Sequence, residues 1–362
     1  MQIGIVGLPN CTKTTIFNAL TRSHEDTAAY STGQVETHVS EVAVPDPRVD
    51  RLAAMFHPRK KTYARVQYRD IAGLRVGVGQ DGGLDGPLLN AVAQNDALLH
   101  VVRSFEDTRI PHPAGSVDPE RDLSALDFEA TFSDLLIVER RLERLGHDLS
   151  KRGDYAGRQI DQEEFDLLTR VKEALEREIP IRDLDLTPAE ENRLRGYQFL
   201  TAKPVLVVLN VGDDGSDQPD EYVAYPHRRS AIVCLRGALE MEISQLDADE
   251  AALFLAEYGI EEPGLNRMIR LSYELLGLQS FFTVGEDEVR AWTIPHGATA
   301  VEAAGAIHSD LARGFIRAEV VGYNDLIAAG SMVEARKQGL VRLQGRDYVV
   351  QDGDILTIRF NV

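Results

Sequence analysis

Residues 7–15 read Gly7-Leu-Pro-Asn-Cys-Thr-Lys-Thr-Thr15, one glycine short of the phosphate-binding pattern G-x-x-x-x-G-K-[ST]. Gly7, Lys13 and Thr14 stand at the required spacings, and Thr12 occupies the second glycine position. This pattern constrains the fold because it needs a strand, a tight loop and a helix in immediate succession. Backbone N–H groups of the loop and the helix start then wrap phosphate oxygens. The flanks agree: apolar Ile3-Gly-Ile-Val6 precedes the loop, and Ile16-Phe-Asn-Ala-Leu20 continues as a helix.

With 362 residues, 43% of them hydrophobic and 27% charged, the chain is long enough for two or three domains with their own cores. No apolar run reaches the roughly 18 residues of a membrane helix. The N-terminus enters a strand at once, so a signal peptide is not expected. Two cysteines, Cys11 and Cys234, make no disulfide framework and fit a cytoplasmic location. A net charge of −19 argues against bulk attraction to DNA, without excluding a local RNA-facing patch.

Apolar strands are predicted at 2–6, 38–44, 64–70 and 97–103, then at 204–209 and 231–235. They form one parallel sheet interrupted by an insertion. The insertion, 123–197, is rich in Leu, Glu and Arg. It carries a helical stripe of Leu135, Leu136, Val138, Leu142 and Leu145, and a second of Phe165, Leu168, Val171, Leu175 and Ile179 on a helix over 161–178. These predict an antiparallel helical hairpin, either a solvated structural arm or a partner-binding one. Helices are expected at 247–258 and 263–277. Beyond Gly277 strands at 281–284, 289–294, 317–321, 348–350 and 355–360 surround a helix at 299–308, a small α+β module.

Several residues carry chemistry. Lys13 sets an ammonium against the β- and γ-phosphates, and Thr14 offers its hydroxyl to Mg²⁺. Asp70-Ile-Ala-Gly73 closes a strand in the D-x-x-G pattern, in which the Asp holds Mg²⁺ through water and the Gly73 N–H senses the γ-phosphate. Asn210-Val-Gly-Asp213 follows an apolar strand where GTPases carry N-K-x-D, and Val211 replaces the lysine that covers the base. The Asp213 carboxylate can accept two hydrogen bonds from guanine N1 and N2, which adenine cannot provide. Leu74 stands where small GTPases carry a water-orienting glutamine, and residues 71–87 contain six glycines, as a switch loop does. No G-x-G-x-x-G follows the first strand, which disfavours a dinucleotide enzyme.

These residues resemble the YchF family, also called Obg-like ATPases, over nearly the whole chain. The matching strings are Gly4-Ile-Val-Gly-Leu-Pro-Asn10, Val44-Pro-Asp-Pro-Arg48, Asp70-Ile-Ala-Gly-Leu74, His100-Val-Val-Arg103, Phe105-Glu-Asp107, Gly115 and Val117-Asp-Pro119. They continue through Tyr273-Glu-Leu-Leu-Gly-Leu278, Ala291-Trp-Thr-Ile-Pro295, Gly314-Phe-Ile-Arg-Ala-Glu319, Tyr348-Val-Val-Gln-Asp-Gly-Asp354 and Arg359-Phe-Asn-Val362. The resemblance implies an α/β P-loop NTPase G domain over 1–122 and 198–278. It further implies an inserted α-helical coiled-coil arm over 123–197 and a C-terminal α+β, ubiquitin-like TGS domain over 279–362. It also implies binding and slow Mg²⁺-dependent hydrolysis of ATP, often in preference to GTP, and association with the ribosome. Carried over by position, Asn10, Cys11, Thr12, Lys13, Thr14 and Thr15 meet the phosphates; Thr14 and Asp70 serve Mg²⁺. Asn210, Val211 and Asp213 meet the base, and His112 falls where the family has a histidine proposed to help hydrolysis.

The chain departs from the family at several points. The family has N-x-G-K-[ST] against Asn10-Cys-Thr-Lys-Thr14 here, and Gln34 stands where its first switch carries a Mg²⁺-ligating threonine. Its base motif ends in Glu; this one ends in Asp213, a GTPase-like acceptor. A β-branched residue held at positive φ costs on the order of 1–3 kcal/mol, enough to weaken nucleotide binding about 5- to 150-fold. Thr12→Gly is therefore expected to tighten binding. Cys11 reads as a small loop-filling residue or as an oxidisable thiol. The alternative to a working NTPase is a catalytically decayed ribosome-interaction protein acting through the TGS domain.

Overall fold

A computed structural model describes residues 1–22, 37–71, 86–151 and 157–361. Gln34, Gly73, Leu74 and most of the glycine-rich segment lie outside the described residues. In chain order the elements begin β1 (Gln2–Val6), α1 (Lys13–Thr21), β2 (Thr37–Ala43), α2 (Pro47–Phe56), β3 (Lys60–Thr62), β4 (Arg65–Ile71), α3 (Gly86–Ala93) and β5 (Ala97–Ser104). They continue α4 (Pro119–Lys151), α5 (Arg158–Leu175), α6 (Pro188–Leu194), β6 (Val205–Val211), β7 (Ser230–Leu235), α7 (Gly237–Gln245), α8 (Ala248–Glu257) and α9 (Gly264–Leu275). The rest comprises β8 (Leu278–Thr283), β9 (Glu288–Pro295), α10 (Ala300–Ile307), α11 (Ser309–Arg313), β10 (Phe315–Gly322), α12 (Tyr323–Ala329), α13 (Met332–Lys337), β11 (Arg342–Gln344) and β12 (Asp354–Phe360). Two compact units result: residues 1–40 with 67–268, and residues 41–66 with 269–362.

The first unit is built on a sheet of order β2-β4-β1-β5-β6-β7. β1 pairs in parallel with β4 and β5, β5 with β6, and β6 with β7. β5 and β6 are apolar along almost their whole length because both faces of a parallel strand are covered. Val6, Leu98, Val102, Val207 and Leu209 pack with Val92 of α3 and Leu123 and Leu126 of α4. The strand order reverses at β1, which lies between β4 and β5. In open α/β sheets the crevice beyond the strand C-termini at such a reversal is where ligands bind. The loop after β1 lies there.

The insertion is a hairpin of α4 and α5, packed through Val138, Leu145, Leu168, Val171 and Leu175. Arg141 of α4 grips Glu164 of α5 with two hydrogen bonds of 2.9 and 2.8 Å. α5 ends at Leu175, so Ile179 falls outside it and is exposed rather than facing inward as the stripe predicts.

The second unit holds a sheet of order β11-β10-β12-β8-β9-β3. β10 runs antiparallel to β11 and β12, and β8 to β9; β12 joins β8 in parallel. Phe281, Ile294, Ala300, Ala304, Val320 and Leu356 form its core. Residues 41–66 cluster with this unit, because β3 hydrogen-bonds in register with β9, Lys60 opposite Glu288. Asp46 caps α2 by accepting from the Arg48 N–H at 2.9 Å, with Pro47 at the first turn. The strand expected at 348–350 reduces to a single bridge between Val349 and Thr299.

Candidate functional site

The loop from β1 to α1 folds as a cradle. Gly7 (φ 154°), Asn10 (φ 62°) and Thr12 (φ 70°) all take positive φ. A Cβ on Gly7 would drive into the Val101 carbonyl and lie 2.7 Å from Cys11 Sγ, so only glycine fits there. Ile16 N–H donates to Thr12 O at 3.3 Å as the first helical bond. The N–H groups of Lys13, Thr14 and Thr15 therefore precede any intrahelical acceptor and are available to an anion, at the positive end of the helix dipole.

Thr12 occupies the left-handed conformation expected of a glycine, at ψ 30°. Its hydroxyl donates to the Cys11 carbonyl and accepts from Asn210 Nδ2. Asn210 ends β6, is 3% exposed, and accepts the Gly237 N–H at 2.9 Å through Oδ1. Thr12 thus ties the phosphate loop to Asn210 and the start of α7. A Cβ at Gly237 would lie 2.7 Å from Asn210 Oδ1, so this close approach requires glycine.

Lys13, 7% exposed, directs Nζ onto the Gly7 and Leu8 carbonyls at 3.1 Å each. Cys11 is buried with Sγ 3.9 Å from Lys13 Nζ. Burial pushes its thiol up, despite the nearby ammonium, which makes it a loop-filling group rather than a reactive thiolate.

Asp70 lies on β4 opposite Ile5 of β1 and is 7% exposed. Thr14 Oγ1 donates to its Oδ2 at 3.3 Å, and its Oδ1 is buried without a hydrogen-bond partner. Burial raises the Asp70 carboxyl above the usual carboxylate range, with Lys13 and the Thr14 hydroxyl opposing. A buried carboxylate oxygen without a donor, beside a hydroxyl, is the donor set a hard cation accepts. Among the described residues no three His, Cys, Asp or Glu side chains converge, so these residues offer a cation only this sparse set.

At the base end, Val211 is 3% exposed and packs in the sheet core, so only its backbone can face a ligand. Asp213 is exposed, on a turn closed by Gly215 N–H to Gly212 O at 2.9 Å. Arg236 clamps that turn through the Asp213 and Gly215 carbonyls at 3.0 and 2.8 Å. His112 follows β5 in a loop organised by buried Arg103, which donates to the carbonyls of Phe105, Asp107 and Ile110. Asn10 Nδ2 donates to Pro111 O at 3.0 Å, linking this loop to the cradle. The His112 ring itself is engaged: Nδ1 accepts the Ala114 N–H at 3.2 Å, and Nε2 lies 2.8 Å from Asp122 Oδ2.

The structure therefore brings Asn10, Thr12, Lys13, Thr14, Asp70 and Asn210 together around one crevice. Arg236 and Gly237 reach the same end of the sheet and carry no motif of their own. Their signal is positional, since 231–235 reads as a buried parallel strand and the residue after such a strand points at the ligand crevice.

Residues 2–133 match a family model described as 50S ribosome-binding GTPase, and residues 278–361 match YchF-GTPase_C, described only as a protein of unknown function. A ribosome-binding ATPase YchF of Bacillus subtilis is 41% identical over 371 residues, covering 100% of both chains. The chain belongs to the YchF family. An Escherichia coli O157:H7 YchF described in the same words is 40% identical, covering 100% of this chain and 99% of its own. The Obg-like ATPase 1 of Caenorhabditis elegans is 34% identical, covering 100% and 92%. The solved structure of the Schizosaccharomyces pombe YchF GTPase superposes with a TM-score of 0.87 at 32% identity, over 99% of this chain and 97% of that one. The YchF fold is thus present end to end, including the G-domain sheet that carries the crevice.

Proposed function

We propose that this YchF protein binds a nucleoside triphosphate with Mg²⁺ in the crevice after β1, hydrolyses it slowly to the diphosphate and phosphate, and works on the ribosome in the cytoplasm. The observation that carries the reading is the pairing of the cradle at 7–12 with the Asp70 carboxylate, whose Oδ2 meets the Thr14 hydroxyl and whose buried Oδ1 has no hydrogen-bond partner. The N–H groups opening α1 hold the phosphates, and the Lys13 ammonium, already at the loop, neutralises the β- and γ-oxygens. Thr14 and Asp70 would hold Mg²⁺, which when bound screens the negative charge of the phosphates. Water attacks the γ-phosphorus, the bond to the β,γ-bridging oxygen breaks, and one proton is released. Gln34 and the Gly73 N–H complete the switch contacts in this proposal. Slow turnover follows from positioning without a base: Leu74 cannot polarise water, and His112 must leave Asp122 before its ring meets one.

The relatives described as ribosome-binding support the ribosome as partner. The decayed reading draws on one observation, the β-branched Thr12 held at positive φ. Titration calorimetry with ATP, GTP and ADP, with and without Mg²⁺, separates the two readings, followed by phosphate release and co-sedimentation with ribosomes. Binding that is lost in Lys13→Ala is expected. No heat with any nucleotide at high micromolar protein would leave only the decayed protein.

A further inference from the structure

We infer that the exposed helix α8 is a docking face for a lysine- and arginine-rich amphipathic helix belonging to a protein of the ribosome. This rests on the ribosome being the partner at all, and goes beyond it by naming the element that docks and the chemistry it meets.

α8 is apolar where a surface helix is normally polar. Residues 251–256 read Ala-Ala-Leu-Phe-Leu-Ala, so every side of that stretch is apolar, a pattern that belongs to helices enclosed by a core. Yet no residue from Asp249 to Ile260 is buried. Leu253 is 73% exposed, more than any other large apolar side chain among the described residues, and Tyr258 is 62% exposed. The Phe254 and Tyr258 rings, one turn apart, stack with centroids 4.5 Å apart.

Both ends of the helix are fixed. Asp247 accepts the Asp249 and Glu250 N–H groups at 3.0 and 2.9 Å, and Glu250 reaches back to the Asp247 N–H at 3.5 Å, a capping box. Gly259, at φ 65°, turns the chain out of the helix, and the Ile260 N–H closes onto the Leu255 carbonyl at 2.9 Å. The apolar side chains are therefore presented at set positions, which lowers the ordering cost of binding.

Charge decides what can cover them. Between Arg236 and Arg267 the chain carries eight acidic side chains and no basic one. The positions three and four residues from Leu253 are Asp249, Glu250, Ala256 and Glu257, so carboxylates rim the most exposed apolar side chain. Glu257 stands in the last turn, where a carboxylate opposes the helix dipole, and no basic residue of that turn offsets it. Its charge gains nothing from its own helix and suits a cation from another molecule. RNA does not fit, because these carboxylates repel its phosphates. A second copy does not fit either: pairing α8 with itself about a two-fold axis sets Asp249 and Glu257 against the same carboxylates of the other chain. A basic amphipathic helix meets both features. Its apolar stripe covers Leu253, Phe254 and Tyr258, and its flanking Lys and Arg pair with the acidic rim.

The test is co-sedimentation of the full chain with purified ribosomes. Leu253→Lys adds i,i+4 pairs with Asp249 and Glu257, and Glu257→Lys sets a cation in the last turn, so both variants should melt no lower than the parent. Each should nonetheless lose at least about tenfold in ribosome affinity, because a basic partner meets a new like charge. With benzoylphenylalanine in place of Leu253, photo-cross-linking on ribosomes should join α8 to a protein peptide with Lys and Arg at helical spacing, read by mass spectrometry. Unchanged affinity in both variants overturns the inference while the ribosome stands as partner. Adducts with rRNA, or with a second copy of this chain, overturn it as well. A parent chain that does not co-sediment overturns the ribosome reading and the inference together.

Discussion

Thr12 shows how a residue can violate a local rule and still be integrated. The left-handed backbone costs a β-branched residue on the order of 1–3 kcal/mol, and the two hydrogen bonds of its hydroxyl return about 1 kcal/mol each. The gain expected from Thr12→Gly on the sequence alone is therefore mostly cancelled, and its nucleotide affinity should stay within about fivefold of the parent. Thr12→Val is the decisive variant. It keeps the branched Cβ, loses both hydrogen bonds and leaves buried Asn210 Nδ2 without an acceptor, so it should lose about 2 kcal/mol of stability and at least tenfold in affinity. Melting and calorimetry that place the valine variant level with the parent would show that the Asn210 tie is unimportant. Asp70 carries the opposite balance. Its folded carboxyl is raised above the unfolded value, so its ionised form opposes folding at neutral pH, and that penalty fades as pH falls through the folded value. Asp70→Asn should raise the melting temperature at pH 7 without Mg²⁺, while nucleotide affinity no longer responds to Mg²⁺. A destabilised variant at neutral pH, or one still responsive to Mg²⁺, would contradict the cation assignment.

Among the elements, α4 is anchored to the sheet by one buried carboxylate. Asp134 accepts from the Leu200 N–H at 2.9 Å, the Thr201 N–H at 2.7 Å and the Thr201 hydroxyl at 2.6 Å, just before β6 begins. Burial lifts its carboxyl from the ordinary 3.8 to about 6, against the pull of those hydrogen bonds. Because the folded value lies above the unfolded one, the protein gains stability through Asp134 as pH drops from about 6 towards about 4. Asp134→Ala leaves three buried donors unpaired and should cost about 3 kcal/mol at pH 7. That deficit should widen in urea titrations at pH 5; equal pH dependence in both proteins would refute it. The arm and the sheet were legible in sequence because buried parallel strands and paired helices advertise themselves as apolar runs and stripes. Residues 41–66 were not. β3 spans Lys60–Thr62, too short for periodicity to register, and its pairing with β9 joins residues far apart in the chain. Its charges protect a sheet edge, with Arg59, Lys60 and Lys61 facing Asp287, Glu288 and Asp50 at 3.5, 3.6 and 2.6 Å. Of the candidate site, the phosphate cradle was legible from spacing alone. The Thr12–Asn210 bond was not, because it closes over 198 residues and no local pattern encodes it.

For the whole molecule, the net charge of −19 sets how it can approach a polyanion. A protein that grips RNA through many phosphate contacts releases many counterions, and six to ten such contacts cost roughly 10³- to 10⁵-fold in affinity between 50 and 200 mM salt. This chain carries 58 acidic side chains against 39 basic ones. Its most concentrated basic run, at 59–61, is already occupied by carboxylates of the same unit. Ribosome association should then depend on a few local contacts, with long-range repulsion relieved as salt screens it. Co-sedimentation with ribosomes across a potassium chloride series is expected to show less than about a tenfold loss between 50 and 200 mM, equivalent to only about two released counterions. The nucleotide affinity of the isolated protein, measured across the same series, separates screening at the crevice from screening at the ribosome. A steep decline in co-sedimentation with nucleotide affinity unchanged would mean that the acidic surface is bypassed, and that a broad RNA-binding face operates despite it.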